Sequence, residues 1–418
     1  MTYPAHVRCL LPLLFGALFV GAGCGEPPAP ARHGGTALGA ANAALPDTVE
    51  TLDYKLQPEV VTSAVEEPWA IAFLSADSAL VTEQPGRLRL LVDGTMLPDS
   101  IHGTPEVSYL GVQGGLLDVA VDPNYDRNGW IYLTYAHGLS AAEDAQPPTM
   151  IRVVRGRIRN GAWQDQQVLF EAPHDTYRTT RFQFGSRITF DSQGHLYFSI
   201  GDRGAWPVDT TTIYAQDLSR PGGKVYRTHR DGSLPQDNPF LDHEDALPSI
   251  YTYGHRNPQG LATHPETGTV WALEHGPRGG DELNRLIAGQ NYGWPEVAYG
   301  INYDGTIITP DRERENMRQP VFFWRPSIAT SGLAFYRGAA FPYWSNQALI
   351  SSLKAQEVRL LTIENRRVLH QEVILEGAGR VREAVPSPDG AIYLVMNGPD
   401  RIVRLRHLAD FTTRSSNG

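Results

Sequence analysis

Two arginines in the stretch GAGRVREAV are spaced so that they could bind one anion together. Arg380 and Arg382 are separated by Val381 alone, just ahead of a run that is typical of a strand. Side chains two residues apart on a strand point to the same face of the sheet, so both guanidinium groups are aimed together. The spacing predicts a site for an anionic group near the start of that strand.

Further polar side chains occur in other short loop-like stretches. Arg256 and Asn257 lie in GHRNPQG, where the proline favours extended backbone at Asn257, and Lys354 lies in SSLKAQ. If these cations meet the arginine pair, a polycarboxylate or phosphate would stabilise them through charge-assisted hydrogen bonds of about 1.5 to 3 kcal/mol each. Acidic side chains of the protein itself would also balance them. Taken alone, each stretch is equally typical of a solvated surface.

The stretch EHGPRGGDELN, residues 274–284, indicates a site for a hard cation. Calcium takes oxygen ligands from carboxylates and backbone carbonyls, and Gly-Pro turns expose carbonyls. Glu282 and the carbonyls of Gly276 and Pro277 are therefore candidate ligands. A solvated acidic loop remains the alternative, because the spacing matches no EF-hand.

The composition excludes some functions and favours many short strands. The chain has 418 residues, with 36 Lys and Arg against 46 Asp and Glu, and a net charge of -10. This argues against nucleic-acid binding, which relies on a basic face. The 41 glycines and 31 prolines make turns frequent, which suits a β-rich fold better than long helices.

The N-terminal region is typical of an exported protein. Residues 1–24 read as a signal peptide, with an apolar run too short to span a bilayer and Cys24 placed as in a bacterial lipoprotein box. Plain secretion is the alternative to lipidation at Cys24. Cys9 lies within the signal, so the mature chain cannot form an internal disulfide. Residues 25–55 are rich in Pro, Ala and Gly and are expected to be a flexible tether.

A strand–turn–strand pattern recurs six times in residues 56–410. Each copy has alternating apolar residues around a turn signal, as in TFDSQGHLYFSIGDRG and PSPDGAIYLVMNGPDRIVRL. Such repetition predicts an all-β fold, a six-bladed β-propeller with four-stranded blades. A large β-sandwich or two stacked all-β domains is the alternative. In a propeller, the loops at the mouth of the central channel are the expected place for function.

Several motifs, in the same order along residues 60–406, resemble those of the soluble PQQ-dependent sugar dehydrogenases, the glucose/sorbosone and aldose sugar dehydrogenase family. The chain looks closer to the bacterial aldose dehydrogenases than to the larger glucose-specific enzymes, because the loops between blades four and five are short. The motifs are QGGLLDVAVDP, FGSRITFDSQGHLYFSIGDRG, AQDLSRPGGKVYR, YGHRNPQGLA, EHGPRGGDELN, NYGWP, LK and GRVRE.

The resemblance implies a cofactor and its ligands. The anion would be pyrroloquinoline quinone (PQQ), a flat tricarboxylate, and calcium would polarise its quinone. One calcium would take the carbonyls of Gly276 and Pro277, and a structural calcium would take Glu282 and the carbonyl of Tyr292. The PQQ contacts carried over by position are Gln113, Arg256, Asn257, Lys354, Arg380 and Arg382, with Trp324 as a pocket wall.

One residue departs from the family pattern at the step that removes a proton. The family has a histidine four residues before the arginine of this motif, whereas RFQFGSR has Gln183 before Arg187. A neutral amide cannot act as a base near pH 7, and loss of a general base typically costs about 10² to 10⁴ in rate. Asp202, which would orient that histidine, is retained.

Three interpretations of this departure stay open. Asp202, or a neighbour such as His174, takes the proton in a slower dehydrogenase. Alternatively, Gln183 binds a sugar hydroxyl in a non-catalytic PQQ or carbohydrate sensor, or PQQ is lost altogether and a binding scaffold remains.

The expected function is PQQ- and calcium-dependent oxidation of aldose sugars to lactones, weak or lost because of Gln183. The resemblance implies that the sugar's C1 hydride passes to the quinone and that electrons leave to an external acceptor. The alternative is a non-catalytic PQQ- or carbohydrate-binding propeller of the cell envelope, in the periplasm or anchored to the outer membrane. A calcium-dependent lactonase is a further candidate, but it would need several carboxylates on the axis rather than four cations.

Overall fold

The computed structural model describes residues 43–111, 113–140, 146–204 and 214–410, with side chains as far as residue 408. Within these ranges there is one α-helical turn, α1 (Tyr125–Asn128), and two 3-10 turns, His174–Thr176 and Pro342–Trp344. The strands are β1 Val49–Glu50, β2 Tyr54–Thr62, β3 Pro68–Phe73, β4 Ser78–Glu83, β5 Arg87–Val92, β6 Thr95–Ser100, β7 Leu116–Val121, β8 Ile131–Gly138, β9 Thr149–Arg159, β10 Ala162–Glu171, β11 Gly185–Phe190, β12 His195–Ile200, β13 Lys224–His229, β14 Ile250–Tyr253, β15 Pro258–Thr263, β16 Val270–Glu274, β17 Asp281–Arg285, β18 Phe322–Trp324, β19 Thr330–Phe335, β20 Ala348–Ser352, β21 Glu357–Glu364, β22 Arg367–Glu376, β23 Val381–Pro386, β24 Ile392–Met396 and β25 Arg401–Asp410.

These strands form six antiparallel sheets, the blades of a propeller. Blades 1 to 5 are β3–β6, β7–β10, β11–β14, β15–β18 and β19–β22, each in chain order from the axis outward. Blade 6 consists of β23, β24 and β25, followed by β2 and β1 from the start of the chain. The first strands of successive blades pack on one another around the axis. The prediction of a six-bladed propeller with four-stranded blades is confirmed.

The N-terminal strands close the ring. β2 pairs antiparallel with β25 along its length, from Tyr54 opposite Asp410 to Thr62 opposite Ile402. Tyr54 and Leu56 are fully buried against blades 5 and 6. The ordered fold therefore begins before residue 56, inside the segment predicted to be a tether, because blade 6 needs a fourth strand from this end of the chain.

Strand position in a blade explains the burial pattern. The second strands β12 and β24 are buried almost throughout, because neighbouring blades cover both of their faces. The outer strand β6 is mostly exposed, with Met96 as its one buried residue. Two-residue turns join the outer strands where both central residues have positive φ, as at Asp93-Gly94 (47° and 74°) and Asn160-Gly161 (50° and 74°). These are the type I′ turns that suit twisted hairpins.

The predicted signal peptide, Cys24 and the first part of the predicted tether, as far as residue 42, lie outside the described residues. Among the residues that are described, no helix is long and apolar enough to cross a bilayer.

Candidate cofactor site

Most of the predicted site residues lie at one end of the ring. The first strand of a blade begins, and the antiparallel second strand ends, at the same end of the propeller. Gln183, Arg256 and Arg380 stand just before the first strands β11, β15 and β23, whereas Asp202 follows the second strand β12. The fold therefore collects residues from separate blades at one mouth of the channel.

Gln183 and Asp202 meet at a shared backbone donor. The N–H of Gly204 lies 3.1 Å from the amide oxygen of Gln183 and 2.9 Å from Oδ1 of Asp202. The N–H of Gln183 in turn donates to Oε1 of Gln113 at 3.0 Å. The structure therefore brings Gln113, Gln183 and Asp202 together.

The Asp202 carboxylate is buried and well bonded. Its Oδ2 accepts a hydrogen bond from the indole N–H of Trp294 at 2.6 Å, and its backbone N–H donates to the carbonyl of Arg256 at 2.7 Å. Burial raises the pKa of Asp202, while the nearby positive charge of Arg256 opposes that rise. A buried carboxyl with a raised pKa is a group that can exchange a proton closer to neutral pH.

Arg256 spans from this carboxylate to the acidic loop of blade 4. Its Nη1 donates to the carbonyls of His275 (3.0 Å) and Gly276 (2.8 Å), and its Nε is buried without a partner among the described residues. Asn257, directly after it, uses its side-chain oxygen to accept from the N–H of Gly185 at 3.0 Å. Asn257 thus joins blade 4 to the loop of Gln183, and Arg256 keeps donor capacity for a ligand.

The arginine pair of blade 6 lies beside this group. Arg382 is buried, donates from Nη1 to Oε1 of Gln259 at 2.8 Å, and has an unpartnered Nε. Burial, and then the charges of Arg380 and Arg187, lower the pKa of Arg382 to about 9. Arg380 is half-buried, and no described residue bonds or pairs with its guanidinium. Two neighbouring cations without a direct acidic partner call for an anion from outside the chain.

Arg187 lies deeper, on the inner strand of blade 3. Its Nη1 donates to Asp118 at 3.0 Å and to Glu383, and its guanidinium lies 4.1 Å from the ring of Trp69. The protein's own acids therefore balance Arg187, in contrast to Arg380. This buried network forms a floor beneath the mouth.

The acidic loop between β16 and β17 brings two carboxylates close together. Glu274 is buried and accepts from His255, the backbone of Arg256 and Asn284, while Glu282 accepts from Asn284 at 3.1 Å. Burial, and then the charge of Glu274, raise the pKa of Glu282. A nearby cation would favour its ionised form.

A small cavity lies at this loop and contains the predicted calcium ligands. It offers about 10 Å³ to a sphere of water size, room for one water molecule or one ion. Its lining includes Arg256, Glu274, Gly276, Pro277, Glu282 and Tyr292. No three His, Cys, Asp or Glu side chains of the described residues cluster as metal ligands, so backbone carbonyls would have to complete any calcium site.

Two neighbouring side chains hold this region in shape. Asp281 is fully buried and accepts from the N–H groups of Gly276, Ile328 and Ala329, which ties the loop to blade 5. The Tyr292 ring stacks on His255 at 4.6 Å, so its side chain is structural. Both leave the carbonyls of the loop as the groups available to a cation.

The fully buried Lys224 secures residues 214–222, which precede β13. Its ammonium lies 2.5 to 3.3 Å from the carbonyls of Tyr214, Ala215, Asp217 and Gly222. This segment therefore wraps around one cation, and these four carbonyls are satisfied without water.

Three predicted residues are not tied to the group. Lys354 is exposed, and no contact joins its ammonium to Arg256 or the arginine pair in the part of the chain that is described. Trp324 is 5% exposed and packs with Phe322 and Leu283 in the apolar core between blades 4 and 5. The outer strand β18 turns its ring into that core, and the role of Trp324 as a pocket wall stays a prediction. His174 is largely exposed and bonds to Glu171, away from Asp202.

Sequence reasoning missed four residues that shape the site: Trp294, Gln259, His275 and Glu274 as a bonded carboxylate. Each is an isolated polar or aromatic residue, and the residues around it form no periodic pattern that would mark it as functional. Glu274 and His275 lie in the stretch EHGP, but the sequence suggested chemistry only for the carbonyls of this stretch and for the acidic residues that follow it.

The chain was compared with known families and structures. A sequence profile of the family described as Glucose / Sorbosone dehydrogenase matches residues 65–404. Aldose sugar dehydrogenase YliI of Escherichia coli is 36% identical over 342 residues, which are 81% of this chain and 89% of that protein.

Solved structures agree with this similarity. A crystal structure of a glucose dehydrogenase superposes with a TM-score of 0.77 at 35% identity, covering 84% of this chain and 99% of the other. The PQQ-bound form of an aldose sugar dehydrogenase from Streptomyces coelicolor superposes with a TM-score of 0.66 at 26% identity, covering 87% and 99%.

Proposed function

We propose that this chain, which belongs to the glucose/sorbosone dehydrogenase family, oxidises aldose sugars to lactones with PQQ and calcium as cofactors. The observation that carries the proposal is the grouping of Arg256, Arg380 and Arg382 at one mouth, with Arg380 lacking any acidic partner among the described residues. Such a group fits a flat, multiply charged carboxylate.

The donor set at the mouth fits PQQ in chemistry as well as charge. Each of Arg256 and Arg382 bonds to described residues through Nη1 alone, so each retains its Nη2 group as a donor for a carboxylate. Gln113 adds a neutral amide beside Gln183. Lys354 completes the set if its exposed, flexible side chain turns toward the ligand.

The acidic loop also fits calcium. The carbonyls of Gly276 and Pro277 would hold the ion beside the cofactor, and Glu282 with the carbonyl of Tyr292 would hold a structural ion. Gly276 already accepts from Arg256, but a carbonyl has two lone pairs and can serve both. The closeness of Glu274 to Glu282 favours a cation there, since two buried carboxylates repel.

When bound, PQQ would supply the hydride acceptor and calcium the Lewis acid beside it. The residues of the chain would then bind the sugar and take its hydroxyl proton. Asp202 is the acidic group nearest Gln183, and burial places its pKa closer to neutrality. We assign it the proton-accepting role, at a lower rate than a histidine at position 183 would give.

One observation favours a second candidate, a non-catalytic PQQ- or carbohydrate-binding propeller. Gln183 stands where the base is expected, and its amide is engaged with Gly204. An amide in this position binds a hydroxyl well and removes no proton. In either case, we propose that the protein is exported, with a lipid on Cys24 and an external electron acceptor for the enzyme.

The test is reconstitution of the mature chain with PQQ and calcium. We expect PQQ to quench tryptophan fluorescence with a defined Kd, and glucose or another aldose to reduce a redox dye slowly. Binding without turnover would select the non-catalytic candidate, and absence of binding would contradict both.

A matched pair of variants tests the cation group. Arg380→Met should weaken PQQ binding by about 10- to 100-fold, the effect of losing one charge-assisted hydrogen bond. Arg367→Met, at an exposed position of blade 5, should leave the Kd unchanged. Equal Kd values for the two variants would count against PQQ at this mouth.

A further inference from the structure

His275 occupies a central place in the site that the sequence did not reveal. It lines the cavity of the acidic loop and is half-buried. Its backbone N–H donates to the carbonyl of Asn257 at 3.0 Å, and its carbonyl accepts from Arg256. The backbone is thus fixed on both sides, so the ring has a defined position.

The partners of Gln259 determine which ring nitrogen carries the proton. Oε1 of Gln259 lies 2.8 Å from Nη1 of Arg382 and 3.0 Å from Nε2 of His275. A guanidinium only donates, so the Gln259 atom facing it must be the oxygen. That oxygen can only accept, so Nε2 of His275 must carry the hydrogen.

The other ring nitrogen is left as a bare acceptor. A neutral imidazole with a hydrogen on Nε2 has a lone pair on Nδ1, and no described residue bonds this atom. Arg382 shares Oε1 of Gln259 with the ring, Arg256 donates to the carbonyl of His275, and no described carboxylate bonds to the ring. Neighbouring positive charges of this kind disfavour a second proton on the imidazole.

We propose that Nδ1 of His275 accepts a hydrogen bond from a hydroxyl or N–H group of the ligand bound at this mouth. The arginines pair with the anionic oxygens of that ligand. His275 accepts a hydrogen bond from a protonated group of the ligand that lies between those oxygens. The inference rests on the proposed function. The donor group belongs either to PQQ or to the sugar, and His275 is a binding residue in both cases.

Two substitutions separate the ring nitrogens. The amide oxygen and nitrogen of Asn are bonded to Cγ, as Nδ1 of His is, whereas those of Gln lie one atom further from the backbone, as Nε2 of His does. His275→Gln should keep the link to Gln259 and lose the acceptor, weakening ligand binding by about tenfold. His275→Asn should restore most of that binding, and His243→Gln, at an exposed position, serves as control.

The measurements are the Kd of PQQ by tryptophan quenching, the KM for glucose in the PQQ-loaded protein, and ¹⁵N NMR of the ligand-free protein. A weaker PQQ Kd in His275→Gln places the donor on the cofactor, and a raised KM with unchanged Kd places it on the sugar. NMR should give a pyridine-type shift for Nδ1 and a pyrrole-type shift for Nε2.

Two outcomes overturn the inference while the proposed function stands: a hydrogen on Nδ1 in the NMR spectrum, or wild-type Kd and KM in His275→Gln. If the wild-type protein binds neither PQQ nor sugar, the proposed function fails and this inference fails with it.

Discussion

The backbone at Gln183 has a φ of +58°, in the left-handed region. Among residues with side chains, Asn, Asp and His adopt this region more readily than most, so a histidine fits here without new strain. The shared N–H of Gly204 keeps the side chain of residue 183 close to Asp202. A histidine at position 183 would therefore lie beside the Asp202 carboxylate.

Gln183→His should raise the kcat for aldose oxidation by about 10² or more, because an imidazole beside Asp202 supplies a general base. The base acts in its neutral form, so activity should fall as the pH falls through a pKa near the ordinary histidine value of about 6.5. Dye reduction as a function of pH checks both statements. Gln183→Asn is the control and should show neither effect.

If Gln183→His binds PQQ with unchanged Kd and still gains no activity, residue 183 does not face the reacting hydroxyl. The alignment that assigns the missing base to this position would then be wrong.

At the scale of elements, the loops that join the second strand of a blade to its third strand position the chemistry. The loop of blade 4 combines two carboxylates with exposed carbonyls, and Asp281 anchors it to blade 5. The loop of blade 3 is wrapped around Lys224. The carboxylate of Asp281 and the ammonium of Lys224 carry opposite charges, and each fixes the backbone of a loop that lies outside the sheets.

Calcium should stabilise the protein, and Glu282→Gln should remove most of that effect. A ligand that binds only the folded state raises the free energy of unfolding by RT ln(1 + [L]/Kd), about 2.7 kcal/mol at 100 times Kd. The measurement is the shift in Tm between calcium and EDTA. Glu315→Gln, at an exposed position, should keep the full shift; loss of the shift in both variants would point to a different calcium site.

Lys224→Met should lower the free energy of unfolding by about 3 kcal/mol or more, because it leaves buried carbonyls without donors. Chemical denaturation checks this value. Lys55→Met removes an exposed lysine with an ion pair to Glu50 and should cost no more than about 1 kcal/mol. Similar losses in the two variants would mean that the carbonyls find other partners.

The ring is completed at the scale of the whole molecule by strands from the two ends of the chain. Tyr54 of β2 is fully buried and contacts Phe341, Trp344 and His407, which joins blades 5 and 6. The pairing of β2 with β25 covers the edge that β25 would otherwise expose.

Tyr54→Ala should therefore destabilise the protein by about 3 to 5 kcal/mol, as expected for a large aromatic residue removed from a core. Val60→Ala, on the exposed part of the same strand, should have little effect. Thermal unfolding followed by near-ultraviolet circular dichroism tests this. A small effect of Tyr54→Ala would show that the stability of the propeller does not depend on this contact of β2.

The blade count was predictable because each blade repeats one local pattern, and the positions of Arg256, Arg382 and Asp202 followed from motifs at strand ends. The burial of the Trp324 ring in the core between blades was not predictable, because it depends on how an outer strand packs rather than on spacing. The role of His275 depends on which atoms of Gln259 and Arg382 face it. Such partnerships join distant parts of the chain and leave no local signal.

The antiparallel pairing of β2 with β25 also places an early strand of the chain beside its last described strand, with Tyr54 opposite Asp410. A short linker could join these neighbours, and new termini could be opened at a surface hairpin such as Asp93-Gly94. Circular permutants of this kind would keep every blade while changing the order in which the ribosome makes them.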